Sequence, residues 1–296
     1  MSELSRRTVL RAAGTGAVAV AGSQWAAAGV ARARPLAAHR TGDNPVVLEN
    51  RASGSDAWGL GHGECRGVDP KRPRIQGYAA TASVAPGETL GLRLTSRTSR
   101  ACTVEIYRLG HYGGVRARHL LTAADVPVDR VWRATVPGTW VSGVFLAVLT
   151  SDGHRAYAPF VVRDPARSSD VLMVVPLSTA HGPYAGLGLP AGFGTDTSAS
   201  RWLEEAGYDV TYATEQDLHE GRVEPARHTA VVLPGAAGDA RWSRRTRAVV
   251  DRAPGRTVLP APFALGEPGR ADEEVRRKAA EWLDRLLTDP VSTSRS

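Results

Sequence analysis

The chain has 296 residues and a net charge of +7, with 42% hydrophobic and 23% charged residues. This composition predicts a folded globular protein with room for two domains and a leader, and it excludes an intrinsically disordered chain. Residues 1–34 contribute +4 through five arginines and one glutamate, which leaves about +3 (seven minus four) for the rest. The remaining arginines are scattered along the chain, so we expect no nucleic-acid binding.

Residues 1–34 are predicted to be an export signal. SRRTVL at residues 5–10 precedes a small, apolar stretch at 12–22, and small-residue cleavage sites follow at 26–28 and 31–33. The paired arginines are typical of the twin-arginine pathway, although Val9 stands where Phe is common. The alternative is an uncleaved anchor, but the apolar stretch is too short to span a bilayer. We therefore expect a protein of the extracellular space or cell envelope without a membrane span.

Residues 35–74 are rich in Gly, Arg, Pro and Asp without periodicity, and they predict a linker or entry segment that packs through Trp58. Cys65 and Cys102 are the only cysteines. An oxidising compartment would suit a disulfide between them. Two separate thiols are an equal alternative, because the distance between the two Cα atoms cannot be inferred from the sequence.

Short alternating segments separated by Pro-Gly turns extend from residue 75 to residue 164. They predict an antiparallel, immunoglobulin-like β-sandwich, a fold that supports, positions or binds. No catalytic constellation occurs among these residues. The predicted strands lie at residues 81–84, 89–94, 102–107, 131–136, 143–149 and 156–162.

Residues 168–290 predict a three-layer α/β domain with a mostly parallel sheet, because buried apolar runs alternate with amphipathic helices. Ligands of such sheets bind outside the carboxyl ends of the strands. The loop at 177–196, about 20 residues, exceeds most strand–helix loops, and long loops are often functional. The predicted strands lie at 170–176, 208–214, 229–234 and 256–259, and the helices at 198–206 and 271–287.

Several chemically capable side chains follow these strands. Two imidazoles and one or two carboxylates would suit Zn²⁺ or Fe²⁺, or acid–base catalysis by His181, His219 and Asp239. The alternative is that the Asp-Leu-His turn after the second strand simply caps the next segment. The candidates are Ser178, His181 and Tyr184 after the first strand, Glu215, Asp217 and His219 after the second, and Asp239 after the third.

Two other site types lack their signatures. The glycines at 186–194 do not have the G-x-G-x-x-G spacing, and Pro190 removes an amide donor from the middle of that loop, which argues against a dinucleotide site. The chain has no Gly-x-Ser-x-Gly, so it lacks the serine-hydrolase elbow.

Six motifs occur in order between residues 75 and 232, over about half of the chain. They are IQGY at 75–78, SVAPG at 83–87, VEIYRLGHYGG at 104–114, WVSGVFL at 140–146, PFVVRD at 159–164 and RWLEEAGYDVTYATEQDLH at 201–219. Together they resemble the large subunit of the N,N-dimethylformamidase family. The aromatic and glycine residues at 107–114 are expected to form a strand end and a tight turn instead of a ligand site.

The resemblance implies a catalytic domain of glutamine-amidotransferase-like or flavodoxin-like architecture. It also implies a mononuclear iron, held by two tyrosines and a glutamate, that serves the hydrolysis of small amides. TAHGPY at 179–184 makes Tyr184 the match to one iron tyrosine. GAAGDARW at 235–242 lacks the histidine, glutamate and tyrosine of the family motif, and the long segment that follows in the family is missing.

These departures predict an exported, shortened relative without iron chemistry or any other cofactor, which binds a small molecule or an envelope partner. The alternative is a metal-dependent hydrolase of small amides, with iron or zinc in a rebuilt site at Tyr184, His181, His219 and Asp239. A third possibility is a carbohydrate- or cell-wall-binding protein that uses the sandwich.

Overall fold

The computed structural model describes residues 44–59, 73–177, 193–234, 243–252, 256–259 and 270–288. The protein is rich in β-structure, with several sheets and a few helices. The predicted leader lies outside the described residues. Among the helices that are described, none combines the length and the apolar character needed to cross a membrane.

The N-terminal half, residues 73–164, forms two sheets. One sheet has three strands in the order β1-β3-β6, and the other has five in the order β2-β8-β7-β4-β5. All pairs are antiparallel except β2 with β8. A short helix precedes them. The elements are α1 (Pro45–Glu49), β1 (Ile75–Ala79), β2 (Ser83–Val84), β3 (Thr89–Ser96), β4 (Ala101–Leu109), β5 (Ala117–Pro127), β6 (Val131–Thr135), β7 (Gly143–Ser151) and β8 (His154–Val162).

The C-terminal half, residues 168–288, contains a four-stranded parallel sheet in the order β10-β9-β11-β12. A helix follows each of its strands, so the chain crosses over between parallel neighbours. The elements are β9 (Val171–Val175), α2 (Phe193–Glu205), β10 (Val210–Thr214), α3 (Glu215–Glu220), β11 (Ala230–Pro234), α4 (Arg244–Asp251), β12 (Arg256–Leu259) and α5 (Arg270–Thr288).

Side-chain caps define the short helices. The Thr214 hydroxyl accepts a hydrogen bond from the Asp217 amide, and the Asp217 carboxylate accepts one from the Thr214 amide at 2.8 Å. This reciprocal pair begins α3, and Gly221, at φ 74°, ends it. The Asp-Leu-His sequence is thus part of a capped helix. Asn44 caps α1, whose first residue is Pro45, a position where the missing proline N–H costs nothing.

The five-stranded sheet is buried on both faces. One face packs against the three-stranded sheet, where Phe145 stacks on Trp140 with ring centroids 5.1 Å apart. The opposite face packs against α2 and the parallel sheet, and it includes Tyr107, Val144 and Leu146. The two halves of the chain therefore share one continuous hydrophobic cluster.

Helices α3 and α4 cover the other face of the parallel sheet. Leu218 of α3 and Val250 of α4 pack against Leu172 and Val174 of β9. All five residues of β9 are buried, as expected for a parallel strand covered on both sides.

Five elements were not predicted from the sequence: α1, inside the expected linker, β1, β5, α3 and α4. Trp58 does pack against the shared cluster, as predicted. Cys102 is a buried free thiol, and burial raises its pKa to about 11. Cys65 lies outside the described residues.

Candidate functional site

The carboxyl edge of the parallel sheet is the expected ligand location. β9 lies between β10 and β11, so the strand order reverses at β9, and a crevice is expected there. Three of the predicted site residues, His181, Tyr184 and Asp239, follow β9 and β11 and lie outside the described residues, as does Ser178. They stay predictions. The described part of this edge includes Leu177, Glu215 and His219.

Glu215 lies directly after β10 and is 5% exposed. Its Oε2 accepts a hydrogen bond from the Leu177 amide at 3.1 Å, and its backbone carbonyl accepts one from the Thr246 hydroxyl at 3.4 Å. The carboxylate thus holds Leu177, the second residue after β9, while the backbone contacts α4.

His219 lies near the end of α3 and is exposed. Its Nδ1 is 3.4 Å from the Ser243 hydroxyl, which also caps α4 by accepting from the Thr246 amide at 3.0 Å. The contact brings His219 next to the residue where the described chain resumes after 235–242. Nothing in the described ranges places it beside Glu215's carboxylate.

Asp217 is fully buried and has a structural environment. Besides capping α3, it accepts from the Ser83 hydroxyl at 2.5 Å and lies 3.4 Å from Arg163 Nε. Arg163 follows β8 and also bonds Glu88 at 2.7 Å. Asp217 therefore joins the C-terminal half to the five-stranded sheet.

The iron that the resemblance implies is not tested by the described residues, because Tyr184 and residues 235–242 lie outside them. Its ligand set requires a glutamate in the motif after the third strand, where GAAGDARW offers only Asp239. Within the described ranges, no three His, Cys, Asp or Glu side chains lie close enough together to hold a metal ion. No step of the chemistry is therefore assigned to iron.

A buried polar cluster joins β4 to α2. The side chains of Arg108 and Glu204 are 0% exposed and form a two-pronged ion pair, with Nη2–Oε1 at 2.8 Å and Nη1–Oε2 at 3.1 Å. Arg108 also donates from Nε to the Val141 carbonyl at 3.3 Å, and from Nη2 to the Ser142 carbonyl at 2.8 Å. With Tyr112 as a further acceptor at 3.1 Å, all five guanidinium N–H groups are bonded.

Each carboxylate oxygen of Glu204 likewise accepts hydrogen bonds from two side chains. Its Oε1 also accepts from the Tyr212 hydroxyl, and its Oε2 from the Asn50 side chain, both at 2.8 Å. Burial alone would lower the pKa of Arg108, but the Glu204 carboxylate raises it well above its ordinary value. Burial and the same carboxylate raise the pKa of Tyr212. Arg108 is therefore charged and Tyr212 is neutral near neutral pH.

Sequence reasoning missed this cluster, although a signal was present. Val104, Ile106 and Arg108 share one face of β4, and the first two are fully buried. Arg108 is the third of these residues on the inward-facing side of the strand. A buried charge needs a buried polar partner, so the alternation predicts one for Arg108.

The comparisons with known proteins identify the family. A family model described as "N,N-dimethylformamidase beta subunit-like, C-terminal" matches residues 103–188 and 179–256, together more than half of the chain. The chain therefore belongs to the N,N-dimethylformamidase beta subunit-like family. No curated protein matches the chain.

One solved structure among the matches is that of the sulfur carrier protein SoxY from Chlorobium limicola f thiosulfatophilum. It is 12% identical, with a TM-score of 0.21, and the match covers 34% of this chain and 84% of that chain. A similarity this low gives no information about function.

Proposed function

We propose that this protein is an exported, shortened member of the family that acts as a binding or accessory protein and lacks iron-dependent amide hydrolysis. Residues 1–34 would be its twin-arginine signal, 35–74 its entry segment, 75–164 an immunoglobulin-like sandwich and 168–290 a truncated α/β domain. Its partner would be a small molecule or an envelope component.

One observation carries this proposal: two of the family motifs that the chain keeps serve its scaffold. VEIYRLGHYGG supplies Arg108 and Tyr112, and RWLEEAGYDVTYATEQDLH supplies Glu204, Tyr212 and Asp217. All five belong to hydrogen-bonded clusters in which Arg108–Glu204 and Ser83–Asp217 join the two halves. Of the two motifs that the resemblance ties to chemistry, the chain keeps TAHGPY with Tyr184, but the motif at 235–242 is replaced. Common ancestry therefore accounts for the fold without requiring the activity.

A second candidate function is a metal-dependent hydrolase of small amides. Glu215 favours it, because this carboxylate is almost fully buried at a strand end and bonds Leu177, the residue that leads to His181 and Tyr184. A carboxylate, an imidazole and a phenolate would form a plausible ligand set for iron or zinc.

Metal analysis with an amide assay separates the two candidates. The purified exported protein is loaded anaerobically with Fe²⁺ or Zn²⁺, desalted, and tested for bound metal and for amine release from N,N-dimethylformamide. We expect metal well below one equivalent and no amine release. Stoichiometric metal that is lost in Glu215→Gln or His219→Ala, together with amide hydrolysis, would overturn the accessory role. Glu215→Gln keeps an acceptor for the Leu177 amide, and so it tests ligation with little effect on folding.

Two further measurements test the proposed export and the proposed envelope partner. Replacing Arg6 and Arg7 by lysine should retain the protein in the cytoplasm if the twin-arginine pathway exports it. Sedimentation of the protein with purified cell walls tests an envelope partner. Binding there by a protein without metal or amidase activity would support the accessory role.

A further inference from the structure

Residues 44–59, here called the strap, contact both halves of the chain. Helix α1 lies within the strap, and Val46 of this helix is fully buried. The Asn44 side chain donates to the Gly207 carbonyl of the C-terminal half at 3.3 Å, while Glu49 accepts from Arg118 of β5 at 2.9 Å. We propose that the strap is a conformational lock, and that its docking holds the N-terminal half and α2 in one fixed arrangement.

Asn50 is the centre of this lock. Its Oδ1 accepts from the His111 amide at 2.9 Å and the Tyr112 amide at 3.0 Å. Its Nδ2 donates to the Val46 carbonyl and to Glu204 Oε2, both at 2.8 Å. One carboxamide thus uses its full hydrogen-bonding capacity to connect the strap, the turn after β4 and helix α2.

Glu49 extends the same cluster. Its Oε1 accepts from the Tyr112 hydroxyl at 2.8 Å, and that hydroxyl accepts from Arg108. The strap therefore supplies two of the side chains that surround the buried Arg108–Glu204 pair. Undocking the strap would leave the His111 and Tyr112 amides without their acceptor and would open the pair to water, which weakens it.

The rest of the strap is fastened to the five-stranded sheet. The Ser55 amide donates to the Ala117 carbonyl at 2.7 Å, and Arg155 donates to the carbonyls of Ala57 and Gly59 at 2.9 and 2.8 Å. The Tyr157 hydroxyl donates to the Trp58 carbonyl at 3.0 Å. These hydrogen bonds end on the N-terminal half, whereas Asn44 and Asn50 donate to Gly207 and Glu204 of the C-terminal half. Trp58 also packs against the hydrophobic cluster that includes α2.

Hydrogen exchange on the full chain tests the lock. Asn50→Asp keeps the shape of the side chain, but it removes the donor and places a carboxylate beside Glu204. We expect amides of residues 107–112 and of α2 to exchange at least about tenfold faster, with the β1-β3-β6 sheet unchanged. Arg51→Ala is the matched control, because Arg51 is an exposed neighbour in the strap. Unchanged exchange in α2, or an equal effect of Arg51→Ala, would overturn the proposal.

A cleavable full-length protein decides the question if Asn50→Asp fails to fold. A protease site inserted between residues 66 and 67 separates the strap covalently from β1. After cleavage we expect the strap to stay bound through gel filtration, and low urea to release it together with faster exchange in α2. Release of the strap without any change of exchange in α2 would show that it does not hold the halves together.

Discussion

Arg108 of β4 and Glu204 of α2 are 96 positions apart in the chain and meet as a fully buried, two-pronged ion pair. Removing two charges from water costs about as much as their attraction returns, so such a pair adds little net stability over apolar residues. Its geometry is nevertheless demanding, because each group must find all its partners. We infer that the pair specifies how α2 packs on the five-stranded sheet.

A double-mutant cycle on this pair should show strong coupling. Arg108→Met or Glu204→Met alone leaves one buried charge without its partner and should cost about 3–5 kcal/mol in the free energy of unfolding. The double variant should cost less than the sum of the two, by about 1–3 kcal/mol. Urea unfolding measures the free energy of unfolding of the wild type, both single variants and the double variant. The exposed pair Arg277–Glu281, at 2.6 Å, is the control, with an expected coupling of about 0.3–0.5 kcal/mol. Additive single effects at Arg108 and Glu204 would contradict the interpretation.

Gly110 should tolerate no side chain. A Cβ there would overlap Glu204 Oε2 and lie 2.9 Å from Arg108 Nη1, which is closer than real Cβ contacts. Gly110→Ala should therefore displace the ion pair and cost about 2–4 kcal/mol, as overpacking and a broken polar network combine. Gly138→Ala is the matched control, since nothing lies within 4 Å of its Cβ position. Equal unfolding midpoints for the two variants would count against the close approach at Gly110.

Tyr212 should ionise only at strongly alkaline pH in the folded protein. Its hydroxyl donates to Glu204 at 2.8 Å and accepts from Ser200 at 2.9 Å, and burial raises its pKa well above 10. In an alkaline titration followed by ultraviolet absorbance, the wild type should ionise Tyr212 only when it unfolds. The absorbance change at unfolding should therefore be smaller by one tyrosine in Tyr212→Phe. This substitution should also cost about 1–3 kcal/mol, because Glu204 loses a donor. Tyr78→Phe, at a residue 59% exposed, should change stability by less than about 0.5 kcal/mol. A Tyr212 that titrates in the native state would argue against its burial.

Much of the secondary structure could be predicted, because apolar periodicity encodes it directly. The last strand has its predicted bounds, 256–259, and β9 at Val171–Val175 lies within the predicted 170–176. The unpredicted elements have weak patterns. α1 has only five residues, although Asn44-Pro45 is a good start signal. β5 includes Asp125 at φ 53°, an irregularity that interrupts alternation.

The stacking of the two halves was less predictable, because alternation reports which face of a strand is buried but not what covers it. β4 alternates up to Ile106 and is buried at every later position, where the C-terminal half covers its second face. β7, GVFLAVLTS, is buried almost throughout. Its continuous apolar run is the signal of a strand covered on both faces.

The sequence predicts where the candidate site lies, at the carboxyl edge of the parallel sheet, better than it predicts which residues form it. The rule for parallel sheets directs attention to the loops after β9 and β11, where His181, Tyr184 and Asp239 lie in the sequence. Of the residues after β10, Asp217 has a capping and bridging role, because a fully buried carboxylate needs several donors. Glu215 and His219 point to different neighbours, Leu177 and Ser243, a distinction that spacing alone cannot make.

His228 should make the protein less stable in mild acid. It is 6% exposed, and its Nδ1 donates to the Ser169 carbonyl at 2.8 Å. Burial lowers the pKa of the imidazole below 6.5 against the opposing effect of that hydrogen bond, and Arg227 lowers it further. The unfolded chain, with an ordinary histidine pKa of about 6.5, then binds the proton more readily than the folded protein does. This contribution to stability is fully present above about pH 6.5 and is lost as the pH falls below it.

Urea midpoints between about pH 7.5 and pH 5 test this linkage around the ordinary histidine pKa. In His228→Asn the urea midpoint should fall less steeply as the pH is lowered, because the asparagine does not titrate. At pH 7.5 this variant should also be less stable than the wild type, since the imidazole is replaced by a shorter side chain in a closed site. His219→Asn is the matched control, with an exposed imidazole removed instead. If the wild-type and His228→Asn curves run parallel through this range, the acid sensitivity of the protein arises from groups other than His228.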